Sequence, residues 1–194
     1  FFSEIKQHSH LIAGVTDATM THTEGWHFGR LGRLIERADK TSRILDVKYF
    51  MLLPRVEYVG TALDKIQWAA VLKSASGLEM YRKQYQHIAP QHVVEFLALD
   101  RFFPRAMHYC LIKAEESLHA ITGTGPGTFR NRAEQQLGRL RARLDFLIID
   151  EIISGGLHEF LDRFQSDLND VGSAIFDTFF ALRPVMQRQE QVLS

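Results

Sequence analysis

The sequence predicts an all-α protein, a multi-helix bundle of long and short helices. Three observations carry that expectation. Apolar residues recur at spacings of three and four over most of the chain. No alternating apolar–polar run long enough for a strand appears. Prolines and most glycines fall between the periodic segments, Gly14, Gly29, Gly32, Gly138 and Gly172 being the exceptions.

The elements follow in order. Residues 3–20 read as a first helix, loosened by Gly14. "HTEGW" (22–26) is a turn, and a long helix runs from Trp26 to Leu53, stopped by Pro54. Its stripe is Phe28, Leu31, Ile35, Ala38, Ser42, Leu45, Tyr49 and Leu52, a sustained heptad spacing. After the connector 55–60, Thr61 is placed to N-cap a helix reaching Ser74, with Asp64 at the capping-box position. A short helix spans 78–86, and Pro90 starts the next, 91–99. Residues 100–104 form a loop, 105–121 a helix, and "TGTGPGT" (122–128) a glycine-rich loop inside the bundle. Two long helices close the chain, 129–153 and 157–182, split by Gly155-Gly156 and ended by Pro184. The whole of 1–194 is read as one domain.

Composition narrows the function classes. The 23 basic and 23 acidic residues balance, so no charge excess points to nucleic acid or an anionic membrane. No apolar run approaches the ~18–20 residues of a membrane span. The lone Cys110 excludes an intrachain disulfide and any multi-cysteine zinc site. It fits a reducing, cytoplasmic setting. Nine histidines lack ligand spacing, and no cofactor motif is present, so neither metal nor cofactor is expected. Cys110 reads as a core residue, not a nucleophile.

The stretch "GRLGRLIERADKTSR" (29–43) is the informative one. On a helical wheel Gly29, Gly32, Arg33, Asp39, Lys40 and Arg43 fall within about 60° of Glu36, opposite the apolar stripe. Each glycine costs roughly 1 kcal/mol in a helix interior. Glycines that admit a close neighbour would offset that cost. Glu36 is therefore expected to be buried and paired with an arginine, in a network that also holds Arg33, Asp39 and Arg43. "GRLRARLD" (138–145) echoes "GRLIERAD" (32–39) and makes the Gly138 helix the expected neighbour of Gly29 and Gly32. Three readings of this face stay open: a structural salt-bridge lattice, a ligand-binding cleft, or a solvated surface. Elsewhere, "MYRKQY" sets Tyr81, Arg82 and Tyr85 where hydroxyls and a guanidinium could take an anion, against a plain packing stripe. Asp150 or Glu151, inside an apolar run, is expected to face Arg33 or Arg37.

"LGRLIERADKTSRILDVKY" (31–49) resembles the signature of the alpha-E family, bacterial all-helical proteins with a Glu-Arg motif, here Glu36-Arg37. The similarity extends to "GWHFGRLGR" (25–33), "QWAAVLKSASGLEMYRKQY" (67–85), "FPRAMHYCLIKAEESLHAI" (103–121) and "GLHEFLD" (156–162). The family pattern carries the Glu-Arg helix twice, so the resemblance implies the C-terminal portion of a longer protein, its upstream repeat preceding Phe1. It also implies a setting beside a circularly permuted ATP-grasp ligase and a transglutaminase-like protein, in peptide synthesis or modification. Arg33, Asp39 and Arg43 surround the motif pair. Three functions follow. The first is a binding or scaffold component. The second is an enzyme with Glu36 as general base and Arg33 or Arg43 holding an anionic peptide. The third is an oligomerisation module.

Overall fold

The computed structural model describes residues 1–51 and 61–181, apart from the side chains of residues 2 and 49–51. The described residues form nine helices and no strand. Four of them are the bundle. The longest, α2, runs Glu24–Met51, after an outlying α1 at Phe2–Thr19. Three short helices follow, α3 (Ala62–Ser74), α4 (Leu78–Gln84) and α5 (Pro90–Ala98). Then come α6 (Met107–Thr122), α7 (Arg132–Phe146), the short α8 (Ile149–Gly155) and α9 (Leu157–Phe179).

Packing partners place α2, α6, α7 and α9 in a ring, each touching the next, with α2 and α7 on the diagonal. Cross-links fix the directions. Arg30 reaches Ser117 while Thr41 reaches Arg105, so α6 runs antiparallel to α2. Arg141 meets Glu115 while Asp145 meets His108, so α7 reverses again. Phe28 packs on Phe179 and Asp46 on His158, which sets α9 antiparallel to α2. The result is an up-down-up-down bundle.

The apolar stripe of α2 explains why it sits there. Leu31, Leu34, Ala38, Ser42 and Leu45 are buried against Leu111, Leu118, Leu137, Phe164 and Leu168 of the other three helices. The interior is large and continuous, as the length of the chain allows. Local signals set the ends. Thr61 Oγ1 accepts from the Asp64 backbone N–H at 3.3 Å, the expected cap. Asn131 caps α7 through the Glu134 N–H at 2.9 Å. Gly123 ends α6 with φ +69°, a left-handed residue that glycine adopts without strain.

Several expectations need correction. The helix foreseen over 129–153 breaks at Leu147-Ile148, giving α7 and α8. Both break residues are extended, and Glu151 Oε2 accepts from the Ile148 N–H at 3.4 Å, so the acidic residues serve the new N-terminus. Asp150 and Glu151 are accordingly exposed and face neither Arg33 nor Arg37. The last helix ends at Phe179, and Pro184 lies outside the described residues, as do Pro54 and the connector 55–60.

The first helix differs most from its neighbours. No described residue of α1 is buried, and α1 packs along no other helix over any length. Its apolar residues Ile5, Leu11, Ile12 and Val15 are all exposed. The elbow 20–23 is pinned by His22 stacked on Trp26 at 4.0 Å, and from there α1 turns back beside α2. A groove separates them.

Candidate functional site, a cationic groove between the first two helices

The groove encloses about 710 Å³. Arg33, Glu36, Arg37, Lys40, Thr41 and Ile44 of α2 form one wall. Ile5, His8, Ser9, His10, Ile12 and Ala13 of α1 form the other, and Ala75 and Arg105 close the end. Helical periodicity explains the first wall: positions 33, 37, 40 and 44 repeat at four, three and four.

The charges are uneven. Arg33, Arg37, Lys40 and Arg105 face a single carboxylate, Glu36. Arg37 donates from Nη1 to the Pro104 carbonyl at 3.0 Å, which ties α2 to the loop before α6. Thr41 Oγ1 donates to the Arg105 carbonyl at 2.8 Å, a second tie. These two bonds carry Arg105 to the groove. Lys40 lies 3.6 Å from Asp39 and is otherwise exposed. The guanidinium groups of Arg33 and Arg105 make no hydrogen bond or ion pair among the described residues. Burial, and then the like charge of Arg37, push the Arg105 guanidinium below its ordinary value. Two arginines held together beside a groove are a poor arrangement unless an anion joins them.

Glu36 is not where the glycines suggested. It is exposed and pairs with no arginine among the described residues. The glycines do not admit a neighbour either: nothing stands within 4 Å of where a Cβ would be at Gly29 or Gly32. The Gly138 helix is diagonal to α2, so it cannot be that neighbour. Gly138 does make room for something, since an added Cβ would meet Glu115 Oε1 at 3.2 Å.

That glutamate belongs to a polar network between α6 and α7. Arg141 Nε donates to Glu115 at 2.8 Å, and its Nη1 bonds Asp145. Asp145 also bonds Arg101 and His108, each at 2.9 Å. A second buried pair, Lys48 with Asp64 at 2.9 Å, lies under Trp68. Buried ion pairs were expected, and they are present, but in these residues. The Asp39–Arg43 pair forms along the helix at 2.8 Å, exposed and outside the groove.

The tyrosine cluster is differently placed. Tyr81 is fully buried; its hydroxyl donates to the His87 carbonyl at 3.0 Å and accepts from the Ala89 N–H. Tyr85 stacks between Tyr81 and His92 and bonds Glu95. Arg82 points out to Glu79 at 3.5 Å. These residues form a packing stripe with a surface arginine. Among the described residues, no group of three or more His, Cys, Asp or Glu is placed to hold a metal, and no helix is long and apolar enough to cross a membrane.

Two groove features escaped the sequence. Arg105 stands in "FPRAM", and only the tertiary ties from Arg37 and Thr41 bring it to α2. His8 and His10 carry no ligand spacing in the sequence, yet both line the groove.

Fold and groove together define an all-helical bundle with one loosely attached helix and an open cationic groove beneath it. The chain belongs to the Alpha-E family. The family's model, described as a predicted alpha-helical domain with a conserved ER motif, matches residues 1–180. Glu36-Arg37 is the chain's sole Glu-Arg dipeptide, so the motif falls on the groove wall. The match gives no support to the expectation of a C-terminal portion of a longer protein. No curated protein and no solved structure matches this chain.

Proposed function

We propose that this protein is a binding component, not a catalyst, of a bacterial peptide synthesis or modification system, and that the α1–α2 groove holds an anionic segment of a peptide. The carrying observation is the pair of guanidinium groups, Arg33 and Arg105, that have no partner among the described residues and stand on the same groove as Arg37 and Lys40. Arginine binds carboxylates through two parallel hydrogen bonds, and partial burial strengthens them. Apolar Ile5, Ile12 and Ile44 supply contact area beside the charges. The cytoplasmic setting rests on the lone Cys110, and the partners, a circularly permuted ATP-grasp ligase and a transglutaminase-like protein, on the family resemblance.

The enzyme reading has less behind it. Among the described residues Glu36 has no hydrogen-bond partner to orient it as a general base, and Arg43 lies outside the groove. Calorimetric titration with a glutamate-rich peptide tests the binding reading. Binding should weaken with salt and fall at least tenfold in an Arg33→Ala/Arg105→Ala variant, roughly 1.4 kcal/mol or more. Absence of binding, or affinity unmoved by the double substitution, would overturn it. Turnover of the peptide by the pure protein would restore the enzyme reading.

A further inference from the structure

The two walls of the groove are not equally held. α2 is seated in the core through Leu34, Ala38 and Leu45. No described residue of α1 is buried, and its Ile5 and Ile12 line the groove at 51% and 66% exposure, with Ile44 on the opposite wall. A helix of 18 residues draws most of its stability from packing an apolar face. Closing α1 onto α2 would bury these isoleucines, which the hydrophobic effect favours.

The cations oppose closure. Arg33, Arg37, Lys40 and Arg105 stand on the fixed side against Glu36 alone. α1 brings no carboxylate to the groove, only Ile5, His8, Ser9, His10, Ile12 and Ala13. Closure would strip water from two guanidinium groups that have no partner among the described residues. Burying an unpaired charge costs more than burying a few apolar side chains returns. Carboxylates from a ligand remove that cost.

The elbow is built as a pivot. Met20 is extended, with φ −85° and ψ 131°, and ends α1. His22 Nε2 donates to the Asp17 carbonyl at 2.9 Å, and its ring stacks on the buried Trp26. The last turn of α1 is held there, so a closing motion is a rotation that carries residues 5–12 farthest.

We infer, resting on the binding reading above, that α1 is a lid over the groove, held open by the unneutralised cations of the fixed side and closed by the carboxylates of a bound acidic peptide.

Distances between spin labels on the full chain test this. Cys110 is buried and stays unlabelled. The exposed pairs Lys6→Cys/Val47→Cys and Ala18→Cys/Gly29→Cys report the far and near ends of α1. With a glutamate-rich peptide at saturation the far pair should draw together. The near end should move about a quarter as far, since residue 18 is about 6 Å from the elbow and residue 6 about 24 Å. Amide exchange over residues 2–19 should slow about tenfold or more. Arg33→Met/Arg105→Met removes the two unpaired charges and keeps long, apolar side chains, so α1 should close with no peptide present. A methionine variant as open as the wild type would overturn the lid. A peptide that binds by calorimetry yet leaves the far pair and the exchange unchanged would also overturn it, with the binding reading intact. Closure of the methionine variant, with no peptide binding to the wild type, would keep the lid and overturn the binding reading.

Discussion

Replacing Gly29 and Gly32 with alanine should stabilise this protein. Both lie inside α2, exposed, with nothing within 4 Å of an added Cβ. Alanine is favoured over glycine in a helix interior by roughly 1 kcal/mol per site, partly through the unfolded chain. The double variant should gain up to about 2 kcal/mol if the sites are independent. In a chain of this size each kcal/mol moves Tm by about 2–4 °C, so a rise of about 4–8 °C is expected by calorimetry. Gly32→Leu is the harder test. Leucine has nearly the helix propensity of alanine, and open space surrounds the site, so it should stabilise as well. Gly138→Ala is the contrast. Its Cβ would press Glu115 Oε1, already held by Arg141, and should gain little or lose stability. A lower Tm in the double alanine variant, or in Gly32→Leu, would refute the open face.

Other outcomes follow from buried groups. Asp64→Ala leaves the Lys48 ammonium buried with the Gln67 amide oxygen and the Trp68 ring, and should cost about 3–5 kcal/mol in urea denaturation. Burial holds the His108 imidazole below its ordinary value, against the opposing pull of the Leu99 carbonyl and Asp145. The unfolded chain therefore binds the proton more readily. Stability from this residue is intact above pH ~6.5 and is lost as pH falls through that value and on through the lower folded one. Urea midpoints at pH 7.5 and 5.5 should lie closer together in His108→Asn than in wild type. Burial pushes the Cys110 thiol up to about 12, so it should react with a thiol reagent at pH 8 only as fast as the protein unfolds.

The helices were largely legible in the sequence because their signals are local. The α2 stripe, the Thr61 cap and Pro90 at a first turn each depend on residues close in the chain. The break at Leu147-Ile148 was not legible, since an unbroken apolar run gives no helix stop there. The groove was half legible. The wheel put Arg33, Glu36 and Lys40 on one face, but a wheel cannot say what lies opposite. Glycines on that face argued for a close neighbour, yet nothing stands within 4 Å of an added Cβ at Gly29 or Gly32. Arg105 entered through two long-range hydrogen bonds that no local pattern records. The buried pairs were anticipated as a kind of interaction and misassigned in residue. Glu115, Arg141 and Asp145 acquire partners only when α6 meets α7.

The most direct test of the groove is a backbone amide NMR titration of the 22.3 kDa chain with the glutamate-rich peptide. The account predicts saturable shifts confined to residues 5–23, 33–44 and the neighbourhood of Arg105, absent in Arg33→Ala/Arg105→Ala. Shifts centred instead on the cavity of Arg143, Phe160 and Arg163 between α7 and α9, or no shifts at millimolar peptide, would contradict it.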